Sequence, residues 1–313
     1  MSEATNPSLE VFAPQASFCA LVTPMHSDGS LNLPCLQTLI KWHRKSGTHG
    51  VVLAGTTGEG TTLSLKEREQ LITAGVQAAA QQICILVGTG TSDQRQSIEL
   101  SQQAQELGAD ACMIVTPPYS RPPQEGLYRH FMGIADQIRL PIMLYNVPHR
   151  TASDLLPETV LRLCAHPQIS ALKESLGADR FAQLHALLGS GSERGCRLYA
   201  GTDEHLRQVL QTGADGVVSV TANLVPAQIA QLCSLDPASS EARDLDTKLQ
   251  PLHQGLFAES NPISVKWAMQ TLGLLPKDSG IRLPLIQAGS HTTDHLGPIL
   301  DSIEPSPFPP FQS

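Results

Sequence analysis

Eight short apolar runs, each followed by a segment with helical signals, constrain the fold of this chain more than any other feature. They fall at 18–22, 51–54, 84–87, 112–115, 142–145, 169–172, 197–200 and 216–220. Most are continuous rather than alternating, as strands covered on both faces should be. Between them, Ser64-Leu65-Lys66-Glu67 reads as a capping box opening a helix towards Ala80. Ser92 is placed to cap a helix reaching about Leu107 and ending at Gly108. Pro157 suits the first turn of a helix through Cys164. Eight strands alternating with helices predict a (β/α)8 TIM barrel. An open doubly wound sheet shares the same local pattern, so periodicity alone leaves it open. Beyond the eighth run, 223–235, 242–258 and 262–272 have helical patterns, more than one closing helix requires. They predict a C-terminal helical appendage. The expected division is an N-terminal extension over 1–16, the barrel over 17–235, a helical region over 236–304 and a loose, proline-rich tail over 305–313.

Composition narrows the function classes. At 313 residues and 41% hydrophobic content, one large domain can bury its core, and 4% aromatics make that core mostly aliphatic. A net charge of -8 without a basic run argues against a nucleic-acid partner. The seven cysteines form no CxxC pair, and Cys19, Cys84 and Cys112 lie in apolar runs. They read as small buried thiols of a reducing, cytoplasmic protein. Residues 1–15 lack the basic and apolar regions of a signal peptide, and no apolar stretch approaches the ~20 residues of a membrane span. The eleven histidines show no HExxH or similar spacing, so no metal is expected.

The chemistry-bearing residues cluster at the C-terminal ends of these runs. Lys173 closes the sixth run, Tyr145 ends the fifth, and Thr56 and Thr57 follow the second. Tyr119 follows the fourth, Gly201 follows the seventh, and Val218 lies within the eighth. In a barrel all these ends meet at one face, where catalysis occurs. Desolvation disfavours an ammonium, and a neutral amine at a pocket mouth suits Schiff-base chemistry with a carbonyl substrate. Taken alone, Lys173 reads more simply as a strand-end lysine reaching solvent. Gly55–Glu59 is a glycine-flanked turn whose N–H groups and threonine hydroxyls can hold a small carboxylate. It lacks the Gly-Lys-Ser/Thr ending of a P-loop, and alone it reads equally well as a tight βα turn. Tyr119 among prolines reads as a packing or interface residue, Tyr145 as a strand tyrosine, and Arg150 as a solvated charge.

Together the motifs carry more. They are GTTGE (55–59), VTPPYSRPPQEGLYRHF (115–131), YNVPHRT (145–151), ALKES (171–175), AGTDE (200–204), GADGVVSVTAN (213–223) and NPISVKW (261–267). On these, from about Phe18 to about Leu285, the chain resembles the dihydrodipicolinate synthase / N-acetylneuraminate lyase family. The second threonine of the turn and the arginine of NVPHRT favour its synthase branch. The resemblance implies a cofactor-free condensation of pyruvate with L-aspartate 4-semialdehyde, in which Lys173 forms the imine. It implies Tyr145 as proton donor and acceptor, with Thr56 and Tyr119 in a proton relay and Tyr119 reaching a neighbouring subunit's site. It implies Thr57, with the Thr56 amide, as the pyruvate carboxylate ligand and Val218 as a backbone contact to pyruvate. Arg150 would meet the carboxylate of the semialdehyde, and Gly201 would lie near the aldehyde. The implied assembly is a homotetramer, a dimer of dimers. Two positions depart from the family pattern: Ala152 stands for a common glycine and Pro118 for a common aromatic residue. Lysine-sensitive relatives present a histidine, an asparagine, a glutamate and an aromatic residue to the effector. Arg68, Ser92, Gln96 and Pro118 stand here, and imply weak or no inhibition by lysine. The competing readings are a sister aldolase cleaving a 2-keto-3-deoxy sugar acid and a non-catalytic pyruvate-binding protein.

Overall fold

The computed structural model describes residues 11–189 and 195–303. The expected tail over 305–313 and most of the expected N-terminal extension lie outside the described residues. Eight strands are present: β1 (Ala16–Ala20), β2 (Gly50–Leu53), β3 (Cys84–Gly88), β4 (Ala111–Val115), β5 (Ile142–Asn146), β6 (Ile169–Glu174), β7 (Arg197–Ala200) and β8 (Gly216–Ser219). They close into a barrel in chain order, which removes the open doubly wound alternative. Nearly every strand residue is buried, as the continuous apolar runs require of strands covered on both faces.

The chain divides into two compact units, residues 1–16 with 86–218 and residues 17–85 with 219–313. In the first, β3 to β8 pair in parallel, and Tyr145 of β5 stands opposite Lys173 of β6, which in turn stands opposite Tyr199 of β7. Leu144, Leu172 and Leu198 fill its interior with aliphatic side chains. In the second, β1 and β2 pair in parallel, and helices Leu33–Lys45 and Leu65–Ala79 pack together. Gly50 is required there, because a Cβ would lie 2.7 Å from the Phe18 ring. Among the described residues four α-helices follow β8: Pro226–Ser234, Ser240–Gly255, Ile263–Thr271 and Ser290–Leu300.

Local signals hold at most elements and fail at three. The Ser64–Glu67 capping box is formed in both directions. Gly108 ends its helix region in the left-handed conformation, at φ 86°. Ser92, however, is not the cap of that helix. Asp93 caps Gln94–Glu106 by accepting from the Arg95 N–H at 3.0 Å, while the Ser92 hydroxyl donates to the Pro118 carbonyl. A carboxylate one residue closer to the first turn wins the N–H groups. The sixth strand runs on through Lys173 and Glu174, because ladder pairing is made by the backbone and tolerates buried charge. Helix Ser290–Leu300 was not read from the sequence, since its polar start and Pro298 mask its apolar face of Thr292, Leu296 and Leu300.

Candidate active site

Tyr145 and Lys173, two of the expected site residues, stand where β5 and β6 lie side by side. Tyr145 and Lys173 are register partners, so their side chains leave the sheet on the same face. Both are buried, and the Lys173 Nζ sits 4.2 Å from the centre of the Tyr145 ring. The amine has no hydrogen bond or ion pair among the described residues, and neither has the Tyr145 hydroxyl. A buried amine without a counter-ion among the described residues is a candidate nucleophile.

The next register pair, Asn146 and Glu174, turns to the opposite face and ties the two strand ends together. Asn146 Nδ2 donates to Glu174 Oε2 and to Asp154 Oδ1, each at 2.9 Å, and its Oδ1 accepts from the Leu155 N–H at 2.9 Å. Arg180 clasps Asp154 through two nitrogens at 3.1 and 2.8 Å and lies 3.8 Å from Glu174. Burial pushes the Glu174 carboxyl up to about 7, although the Asn146 and Leu176 hydrogen bonds and the Arg180 charge oppose it. Burial would also raise Asp154, but its bonds to Arg180 and Asn146 outweigh that and hold it low. Sequence reasoning gave none of these four residues a role. The signal was there in ALKES, where an acid directly follows the buried lysine.

The other expected residues of this unit occupy distinct settings. Tyr119 is 95% exposed and held at φ 73°. That left-handed conformation is costly for a bulky residue. The loop is fixed in it by the Tyr119 N–H to the Thr151 carbonyl at 3.1 Å, by a Thr116–Thr151 hydroxyl contact at 3.0 Å, and by the Ser153 hydroxyl to the Pro117 carbonyl at 2.9 Å. Arg150 is exposed in the short helix Pro148–Thr151, and its guanidinium has no partner among the described residues. Gly201 donates its N–H to the Glu174 carbonyl at 2.6 Å, and a Cβ there would lie 2.4 Å from the Ser175 hydroxyl. Val218 is buried on β8. A cavity of about 370 Å³, lined by Leu176, Gly177, Ala178, Asp179, Arg180 and Gln183, opens shortly after β6. Neither Lys173 nor Tyr145 lines it.

In the second unit the Gly55–Glu59 turn forms a compact cradle. Its shape is forced: Ala54 and Glu59 both take φ 52°, and a Cβ on Gly60 would stand 1.9 Å from the Ala54 carbonyl oxygen. The Glu59 and Gly60 N–H groups are used inside the turn, whereas those of Thr56 and Thr57 bond nothing among the described residues. Thr56 is exposed and Thr57 buried. The Thr57 hydroxyl oxygen accepts from Asn261 Nδ2 at 2.9 Å. Glu59 is buried against Lys266, and its second oxygen accepts from the Arg282 N–H at 3.0 Å. Asn261 and Lys266 both belong to the NPISVKW motif, to which sequence reasoning gave no role.

The family model described as the dihydrodipicolinate synthetase family matches residues 13–303. The chain belongs to this family. Among members of the dihydrodipicolinate synthetase family, a 4-hydroxy-tetrahydrodipicolinate synthase of Cellvibrio japonicus is 45% identical over 273 residues, covering 87% of this chain and 92% of that protein. The fold agrees with a chloride-inhibited dihydrodipicolinate synthase of Acinetobacter baumannii solved with pyruvate. That structure has a TM-score of 0.87 and 40% identity, over 92% of this chain and 98% of the other. A structure described as the first monomeric dihydrodipicolinate synthase variant has a TM-score of 0.88 at 33% identity, over 94% and 97% of the two chains.

Proposed function

We propose that the chain condenses pyruvate with L-aspartate 4-semialdehyde to 4-hydroxy-tetrahydrodipicolinate, in lysine and diaminopimelate biosynthesis. The observation that carries this reading is the buried, unpartnered Lys173 amine against the Tyr145 ring, in a chain 45% identical to a protein named for that reaction.

The Lys173 amine adds to the ketone carbon of pyruvate. Tyr145 delivers a proton to the departing oxygen, and water leaves to give a protonated imine. The imine makes the C3 protons acidic; one leaves through Tyr145, and the resulting enamine attacks the aldehyde carbon. The amino group of the semialdehyde then displaces the Lys173 amine from the imine carbon, which closes the ring and frees the lysine. No cofactor is required, because the imine nitrogen is the electron sink. Thr56 and Tyr119 pass protons to and from Tyr145, since a hydrogen-bonded hydroxyl chain moves protons without bulk water. Thr57 and the Thr56 amide receive the pyruvate carboxylate, which the unengaged amides of the turn support. The Val218 backbone contacts pyruvate. Arg150 meets the carboxylate of the semialdehyde, and Gly201 lies at the aldehyde. An exposed guanidinium without a partner suits a small aldehyde bearing a carboxylate. A polyol chain prefers neutral hydrogen-bonding groups, which disfavours a sugar-acid aldolase.

The working form in this reading is a homotetramer built from tight dimers, with Tyr119 completing the neighbour's site. An aromatic side chain left 95% exposed on a fixed loop supports it. Among the described residues no helix is long and apolar enough to cross a membrane, and a cytoplasmic setting fits the free cysteines. A coupled assay with pyruvate and aspartate semialdehyde, run beside a panel of 2-keto-3-deoxy sugar acids, tests the assignment. Turnover of the semialdehyde at least tenfold above every sugar acid is expected. Preference for a sugar acid would overturn it.

A further inference from the structure

We propose that Asn261 is a positioning residue whose side-chain amide fixes the Thr57 hydroxyl as a donor towards the carboxylate of pyruvate. The inference rests on reading Thr57 as the carboxylate ligand.

Hydrogen-bond polarity decides the direction of the Thr57 hydroxyl. Asn261 Nδ2 lies 2.9 Å from Thr57 Oγ1, and both side chains are buried. An amide N–H only donates, so the threonine oxygen accepts. A hydroxyl has a single proton, and that of Thr57 finds no acceptor among the described residues. It is left for an external acceptor, and a carboxylate only accepts. The adjacent Thr56 and Thr57 N–H groups are likewise unspent among the described residues, so the turn offers further donors beside the Thr57 hydroxyl. The reverse amide orientation would capture the Thr57 proton and turn a lone pair towards the anion.

Asn261 is itself held where it can do this. Its segment enters helix Ile263–Thr271, and Lys266, one turn further on, pairs with Glu59 of the same turn. The Lys266 ammonium also donates to the Gly280 carbonyl at 2.8 Å. The motif thus grips the turn twice, at Thr57 and at Glu59. Asn261 Oδ1 is buried and has no hydrogen-bond partner among the described residues. The C-terminal region is then part of the substrate-binding apparatus and not only a covering of the fold.

The test compares full-length Asn261→Ala, Asn261→Asp, Thr57→Val and the Asn261→Ala/Thr57→Val double variant with the wild type. Borohydride trapping of the lysine imine is followed as a function of pyruvate, and in parallel of hydroxyacetone, a ketone without the carboxylate. Asn261→Ala should raise the half-saturating pyruvate concentration by about three- to tenfold, the weight of one neutral hydrogen bond. The trapping rate at saturation should stay within about twofold, and hydroxyacetone trapping should not change. Thr57→Val should weaken pyruvate by about tenfold or more, since its bond is to a charged group. Adding Asn261→Ala to Thr57→Val should then have no further effect. Asn261→Asp, nearly identical in shape, should weaken pyruvate at least as much as alanine, because a carboxylate reverses the bond. It carries the test if the alanine variant does not fold. Wild-type pyruvate dependence in Asn261→Ala, or effects that multiply in the double variant, would overturn the proposal. Unchanged pyruvate dependence in Thr57→Val removes its premise, and the proposal with it.

Discussion

Removing one oxygen from Tyr145 separates the two things this side chain does. The ring packs against the Lys173 amine at 4.2 Å, and the hydroxyl has no partner among the described residues. Tyr145→Phe keeps the ring and removes the proposed proton donor. Its melting temperature should stay close to wild type, as a near-isosteric change allows. Turnover should fall by ~10²–10⁴, the usual worth of a positioned acid-base group. Steady-state rates beside a thermal melt check both halves, and turnover within a few-fold of wild type would remove Tyr145 from proton transfer. Lys173 and Tyr145 were legible in the sequence because each stands polar at the end of an apolar run. Asn261 was not, because its action depends on a bond between residues 204 positions apart.

At the scale of elements, β5 and β6 are joined at their ends by the Asn146–Glu174 pair on the face opposite Tyr145 and Lys173. The strands themselves were readable, since continuous apolar runs of this length fit little else. Their ends were not. The run of apolar residues stops at Leu172, whereas β6 continues through two buried ionisable residues. Pattern reading takes a charge as a boundary, but a fully paired backbone does not. Glu174 gives this joint a pH signature. Its folded carboxyl, near 7 against an ordinary 4.5, holds a proton that the unfolded chain releases. The resulting stabilisation is complete below about 4.5 and is lost as pH rises through about 7. Buried His43, pushed down to about 3, contributes with the opposite sign over part of that window, so the wild-type profile alone is ambiguous. Glu174→Gln isolates the term. Chemical denaturation of both proteins should show a gap in unfolding free energy that changes by on the order of 1–3 kcal/mol between pH 4.5 and 7. A gap constant with pH would mean that Glu174 ionises normally in the fold.

At the scale of the whole molecule, the chemistry of the proposed mechanism falls to strand-end residues, as the closed barrel order leads one to expect. Tyr119 extends the account beyond one chain. Mixing Tyr119→Phe with Lys173→Ala, each inactive alone, should restore part of the activity after reassembly, because an isologous pair leaves one intact site per hybrid. A fully active monomer in sedimentation would contradict this. Sensitivity to lysine is also a property of the assembly. The resemblance implies a positive charge at Arg68 close to where an effector's cation would sit; Arg68 is buried and donates to the Gly60 carbonyl at 2.7 Å. Ser92 is bonded to the Pro118 carbonyl, which leaves exposed Gln96 with a neutral amide. Little remains to bind a cation with preference for one state. Titration of initial rates at saturating pyruvate should put half-inhibition by L-lysine above ~1 mM, the upper end of ordinary small-ligand constants. Half-inhibition well below that would mean other residues form an effector site.

Every step of the proposed reaction depends on covalent capture of pyruvate by Lys173. Borohydride reduction in the presence of pyruvate, followed by peptide mass analysis, reads it directly. The peptide containing Lys173 should gain the mass of a reduced pyruvate adduct, and Lys173→Ala should show none at any lysine. An unlabelled Lys173 peptide in the wild type, or labelling that survives Lys173→Ala, would contradict the account.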